Sequence, residues 1–253
     1  MVKRHDIMNK LNHIYNVLFS QYGLQGWWPL SGLGMPIKNN DKDWLNYKKA
    51  NPEGNEKDFI INWPRHLGIN PKKDNQKFEI IIGAILTQNT SWSNVEKAIY
   101  NLNKNNLINA EKILKADKKK ICSLIRCAGY YNQKAERLKI ISKFFLENKN
   151  PSREQLLNVK GIGPETADSI MLYAYGKNYF VVDAYTKRIF SRLGIIDDLF
   201  YDSVQKVFEN SLDKKTEIYK QYHALIVEHA KRFCRTKPEC EECILKKICK
   251  KNL

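Results

Sequence analysis

From Arg153 to Leu193 the chain runs REQLLNVKGIGPETADSIMLYAYGKNYFVVDAYTKRIFSRL. This is a helix, a tight glycine hairpin, a second helix, a short apolar run closed by an aspartate, and a third helix. Gly161 and Gly163 bracket Ile162, and glycine lets a backbone take positive φ or approach a ligand closely. Pro164 occupies the first position of the next helix, where its missing N–H costs nothing. Ala167, Ile170, Met171 and Ala174 then recur at i, i+3, i+4 and i+7, the buried stripe of an amphipathic helix. The unpaired amides of the hairpin and the helix start point outward together, an anion site suited to one phosphate. A Gly-Ile-Gly between helices also serves as a plain turn, so the rest of the chain must decide its meaning.

That chain is predicted to be all-α, because strand patterns are nearly absent. Residues 4–21 place Met8, Leu11, Tyr15, Leu18 and Phe19 at helical spacing. Trp27 and Trp28 follow in a turn-rich setting, as plugs on an interdomain seam or as rings facing a ligand. Residues 31–75 are polar, with Trp44 and Trp63 as isolated anchors, and form a long loop or insertion. From Phe78, FEIIIGAILTQNT is an apolar helix with a polar tip, and SWSNVEKAIYNL starts the next. Residues 108–127 give two short helices around a polar turn at Ala116–Lys120, and Gly129 to Ala135 opens a long helix to Phe145. Three further helices are predicted over 184–194, 199–212 and 215–233.

Composition narrows the partner. Lys plus Arg outnumber Asp plus Glu by 43 to 27, a polycation that favours nucleic acid over a membrane surface. Neither an N-terminal apolar leader nor a spanning run is evident, so a cytoplasmic protein working on the chromosome is expected, not a secreted or membrane one. Of six cysteines, Cys122 and Cys127 read as packing residues, whereas Cys234, Cys240, Cys243 and Cys249 crowd the C-terminus. In a reducing compartment this quartet argues for a metal rather than disulfides. Four thiolates suit a tetrahedral zinc or a [4Fe–4S] cluster, and spacing alone slightly favours zinc.

The hairpin stretch resembles the helix-hairpin-helix DNA glycosylases, the superfamily that contains endonuclease III. The matching residues are Leu157, Val159, Gly161, Ile162, Gly163, Thr166, Ala167, Val181, Val182 and Asp183. Leu-Thr-Gln-Asn-Thr, Gly-Tyr-Tyr-Asn-Gln-Lys-Ala and the cysteine quartet after HAKRFC add to the likeness, which spans about residues 77–249. It implies two helical domains with the active site between them. One is a six-helix barrel over 77–178, carrying the helix-hairpin-helix at 153–175; the other joins 1–76 to 179–253 and carries an iron–sulfur loop. It also implies that Asp183 is the catalytic carboxylate, that Gln88 and Tyr130 penetrate the duplex, and that the four cysteines hold a [4Fe–4S] cluster with zinc as the alternative. The first cysteine spacing is five residues where the family usually has six.

One departure shapes the expected chemistry. Two residues past Gly163, where bifunctional members carry a lysine nucleophile, this chain has Glu165. A carboxylate cannot form a Schiff base, so water should attack and the reaction should stop at an abasic site. Asp183 follows the apolar run at an N-cap position, where a rigid carboxylate can stabilise positive charge on the deoxyribose and help water attack. Lys160, Lys187, Gly161 and Gly163 are expected to contact DNA backbone, and Trp27 and Trp28 to line the base pocket. Carboxylate in the lysine slot resembles the branch that removes 3-methyladenine and other alkylated bases, although some members of that branch lack the quartet. No histidine or lysine acid is evident beside Asp183, which fits a base that departs readily. The expected function is therefore a monofunctional, monomeric glycosylase releasing alkylated bases from double-stranded DNA. The alternatives are an endonuclease III-like enzyme for mismatched or oxidised bases with strand cleavage, and a non-catalytic DNA-binding module.

Overall fold

A computed structural model describes residues 2–28, 30 and 71–250. Most of the predicted insertion, with Trp44 and Trp63, lies outside the described residues. Among those described there are eleven α-helices and no strand, as the sequence predicts.

Helix α1 (Val2–Tyr22) buries Leu11, Ile14 and Leu18. Helix α2 (Asp74–Leu86) starts earlier than its apolar run, because the Gln76 side chain accepts from the Lys73 N–H at 3.0 Å and closes the first turn. Every residue from Phe78 to Leu86 is buried, so beyond its first turn α2 is a central helix without a solvent face. Helix α3 (Trp92–Lys104) is amphipathic and buries Val95, Ala98, Ile99 and Leu102. Helices α4 (Ala110–Lys115) and α5 (Lys118–Leu124) are capped by Asn109 and Asp117. The expected polar turn at Ala116–Lys120 is thus only Ala116 and Asp117, since the Asp117 cap lets the three lysines enter the helix. Helix α6 (Tyr131–Glu147) lies across α2, α4 and α5.

The hairpin follows. Helix α7 (Arg153–Leu157) begins with a reciprocal cap between Ser152 and Gln155. Gly161 takes φ 86°, while Gly163 is extended and leads into Pro164. Helix α8 (Pro164–Ser169) runs directly into one π-helical turn, Ile170–Ala174. After the extended run to Asp183 come α9 (Ala184–Arg192), α10 (Tyr201–Glu209) and α11 (Thr216–Arg232).

Two packing groups result. Helices α2 to α8 pack on one another, and α1 and α9 pack on α11. The π turn touches both α2 and α11, so the groups meet there. Phe180, Phe190, Phe208, Tyr219 and Tyr222 form an aromatic centre in the second group, with Phe180 and Phe208 stacked at 4.1 Å. Asp168 is fully buried beneath the hairpin, where Arg153, Tyr201 and Gln205 all donate to it. That network ties α7, α8 and α10 together below the site.

Candidate active site

Asp183 stands at the junction of the two groups, as the N-cap of α9. Its Oδ1 accepts from the Thr186 N–H at 2.7 Å and the Thr186 hydroxyl at 2.9 Å. Both lone pairs of that oxygen are thereby engaged. Its Oδ2 faces His223 Nε2 at 3.4 Å, an ion-pair separation without hydrogen-bond alignment, so Nε2 has no aligned acceptor. Burial pushes the Asp183 carboxyl upward, but His223 and the two Thr186 donors outweigh it and hold the group below its ordinary value. The carboxylate is therefore ionised, and Oδ2 is its open atom. The side chain is 13 % exposed, enough to reach the cleft.

His223 is a residue that sequence reasoning missed. The expectation of no histidine beside Asp183 fails because α11 reaches the site from forty residues further along the chain, which no local pattern reveals. Its Nδ1 lies 2.8 Å from the hydroxyl of Tyr173, which sits fully buried in the π turn. Burial, with the Asp183 charge adding, raises the Tyr173 phenol well above its ordinary value. The Tyr173 hydroxyl therefore stays protonated and is able to donate to Nδ1, an arrangement that leaves the imidazole proton on Nε2, facing Asp183.

Glu165 opens onto the same cleft. Although the residue is exposed overall, the protein around its carboxyl raises it above its ordinary value, and the Asp183 charge adds to that; His223 and Lys187 partly oppose. Two carboxyls of one cleft are thereby driven apart, one held ionised and the other kept protonated to higher pH.

Trp27 and Trp28 do enter one cavity, of about 140 Å³, together with Trp92, Gln88, Glu165, Asp183, Tyr185, His223 and Lys231. Their shared location is possible because residues 23–28 are not helical. Trp92 stands 4.6 Å from Trp27 and 5.2 Å from Trp28 between ring centroids, and completes an aromatic wall. Trp28 also packs on Tyr173 at 5.3 Å. Gly83 is required for this: a Cβ there would fall 2.9 Å from the Trp28 indole.

The residues expected at DNA are brought together only in part. Gln88 is fastened to the hairpin, its amide nitrogen donating at 3.0 Å to both the Gly161 carbonyl and the Thr166 hydroxyl, while Arg137 donates to its oxygen. The Arg137 chain also covers Gly161, where a Cβ would clash with it. Tyr130 is 65 % exposed and takes the left-handed conformation that starts α6. Lys160 points outward from the hairpin, 79 % exposed and paired with Glu136. Lys187 lies over the Tyr201 ring at 6.0 Å. Below these tips, buried Lys134 donates to the Leu86 and Ala128 carbonyls at 2.9 and 2.8 Å. It joins the end of α2 to the turn that presents Tyr130.

The four C-terminal cysteines line one small cavity with Arg192, Phe233 and Pro238. Burial raises the Cys243 thiol, and the other three cysteines raise it further. Four such sulfurs repel one another as thiolates, so an electrophilic centre is what would let them ionise together. Among the described residues no three His, Cys, Asp or Glu side chains gather as a single-ion site. Arg188 and Arg192 hold the loop by donating to the Cys234, Arg235 and Thr236 carbonyls. His229 Nε2 lies 3.5 Å from Cys243 Sγ, and its Nδ1 lies 3.0 Å from the Tyr22 hydroxyl.

Residues 82–214 match the HhH-GPD superfamily of base excision DNA repair proteins. A provisionally named DNA repair glycosylase of Methanocaldococcus jannaschii is 42% identical over 93% of this chain and 94% of its own length. Endonuclease III of Thermotoga maritima is 28% identical over 76% of this chain and 89% of its own. Among solved structures, the H. pylori 3-methyladenine DNA glycosylase bound to 1,N6-ethenoadenine is 30% identical with a TM-score of 0.56, over 75% of this chain and 96% of that one. An endonuclease III–DNA complex has a TM-score of 0.63 at 21% identity, over 83% and 96%. The chain belongs to the HhH-GPD superfamily of base excision repair proteins and is a DNA glycosylase of the endonuclease III-like fold.

Proposed function

We propose that this glycosylase is monofunctional, and that it uses water to release alkylated bases such as 3-methyladenine from double-stranded DNA. The observation that carries this reading is one cavity holding an ionised aspartate, a protonatable glutamate and a wall of three tryptophans. Asp183 Oδ2 is free to accept a proton from water as positive charge grows on the sugar. Glu165 fills the slot of the lysine nucleophile and cannot attack the sugar through an amine. A base alkylated at N3 or N7 is cationic, and electron-rich indole faces attract such a cation by roughly 1–2 kcal/mol. The 30% identity to a 3-methyladenine DNA glycosylase supports the same class. His223 does not weaken it, because its proton is turned to Asp183 rather than to a leaving base.

The hairpin amides, Lys160 and Lys187 would contact the backbone, and Tyr130 would enter the duplex as the base turns out. Gln88 would have to exchange its hairpin bonds for DNA to play the same part. The four cysteines would hold a [4Fe–4S] cluster, whose contribution is to order the loop between Cys234 and Cys249. Zinc is the alternative occupant of the same four thiols.

A panel of lesion-bearing duplexes, developed with and without alkali, tests the reading. Release of 3-methyladenine with nicks only after alkali supports it. A second reading follows from Lys231, an amine lining the cavity that sequence reasoning missed. Were it to attack the sugar, borohydride would trap a covalent adduct and mismatched or oxidised duplexes would be cut directly. Efficient trapping, lost in Lys231→Gln, replaces the first reading with the second.

A further inference from the structure

We propose that His223, fixed by Tyr173, is a positioning residue that aims Asp183 Oδ2 at the reacting sugar. The inference rests on the reading of Asp183 as the hydrolytic carboxylate and adds a device that the reading does not require.

The geometry is asymmetric. Thr186 consumes Oδ1 through two hydrogen bonds, while Oδ2 meets, among the described residues, Nε2 of His223, off alignment at 3.4 Å. A fully aligned bond would tie up the lone pair that water needs. A displaced N–H instead holds the oxygen by its field and leaves a lone pair open to the cleft. The proton must sit on Nε2 for this to work, and a Tyr173 hydroxyl donating to Nδ1 would hold that tautomer. Both partners are buried, and both come from the elements where the two packing groups meet, the π turn and α11.

In the hydrolytic step, the water oxygen bonds to the anomeric carbon and the C–N bond breaks with its electron pair leaving on the base. The water proton passes to Oδ2. A cationic alkylated base departs neutral, so charge balances when Asp183 returns the proton to solvent. His223 keeps its own proton throughout.

The groups facing the cleft around Asp183 are Glu165 from α8, Tyr173 from the π turn, Tyr185 from α9, and His223 and Lys231 from α11, and Lys187 of α9 acts on Glu165. Of these, His223 lowers the Asp183 pKa, as do the two Thr186 donors. The test is the single-turnover excision rate against pH, with duplex affinity measured in parallel. In His223→Ala the rate should fall about 10- to 100-fold, the range for partners that orient a functional group. Affinity should stay within about twofold, and the acid limb should move to higher pH because a donor to the carboxylate is gone. His223→Gln, whose amide can donate, should recover most of the rate, and Tyr173→Phe should move the acid limb the same way by less. An unmoved acid limb in folded His223→Ala, or equal losses in the Ala and Gln variants, overturns the proposal. If His223→Ala fails to fold, an unmoved limb in Tyr173→Phe overturns it. Asp183→Asn separates the two claims: activity in that variant removes the hydrolytic reading, whereas its inactivity beside a normal His223→Ala removes only this one.

Discussion

The cleft and the cysteine loop use the same device with different outcomes. In each, a tyrosine hydroxyl meets a histidine Nδ1 on α11, and the Nε2 turns to a functional atom: Tyr173, His223 and Asp183 in one, Tyr22, His229 and Cys243 in the other. The histidines are six residues apart, which turns them about 120° from each other around the helix and lets one element serve two regions. In the cleft the acceptor is a carboxylate with one open oxygen, left ready for chemistry. In the loop it is one of four crowded sulfurs, and burial holds His229 neutral with a pKa of about 4. The contrast teaches that one Tyr–His arrangement can face either a carboxylate or a sulfur, and on the proposed reading the second partner decides whether the pair serves reaction or architecture.

Asp183→Asn should break the cleft alone. The change keeps the capping geometry and removes the charge, so excision should fall by about 10²-fold or more. Duplex binding and iron content should not change. Near-wild-type turnover would mean that the cleft does not work through this carboxylate.

Cys240→Ser should break the loop alone. The wild-type protein should be brown with about four irons per chain, and the variant should lose the colour and the order of the loop. Stoichiometric zinc in anaerobically prepared wild-type protein would show that the loop holds a different centre.

Trp28→Ala sharpens the cleft side. Removing this ring from the wall should cost about 1–2 kcal/mol of base recognition, roughly 5- to 30-fold in excision of methylated DNA. Affinity for undamaged duplex should hold. Gly83→Ala should act in the same direction, since the new methyl displaces the same indole. Equal losses of binding and excision would assign Trp28 to packing.

The smallest effect on excision is expected from a residue outside both regions, whose change acts on stability instead. Lys134→Met leaves two carbonyls without their donor and should lower stability by about 2 to 4 kcal/mol. Burial, with Arg137 adding, holds the Lys134 pKa down to about 8 from the ordinary 10.5. Between these values the unfolded chain binds more protons, so wild-type stability should rise from this group as pH rises. Melts of the two proteins across pH 8 to 10 measure the difference, and parallel curves would remove Lys134 as its source.

Much of the fold was legible because its signals are local. The stripe of Ala167 on α8 and Ile170, Met171 and Ala174 beyond it is buried as its spacing predicts, although the last three lie in a π turn rather than the α-helix expected, and Asp183 caps α9 as its place after the apolar run predicts. Gly161 takes the positive φ expected of the hairpin, whereas Gly163 is extended, so only the first glycine is demanded by backbone conformation. Trp92 was read as a helix start, and no periodicity says that its ring meets Trp27 and Trp28. Lys134 was read only as part of a motif; its role as a buried clamp depends on two carbonyls from separate elements.

The sequence by itself determined the helices, the hairpin, the cysteine quartet and the carboxylate in the lysine slot, because each is written in residue types a few positions apart. Tertiary structure alone decided what faces the Asp183 Oδ2 atom, which side chain meets each nitrogen of His223, and the aromatic wall. Those depend on contacts between residues forty or more positions apart, such as Asp183 with His223 and Tyr173 with His223. Helical periodicity states which face is buried, but not which side chain of another element it meets.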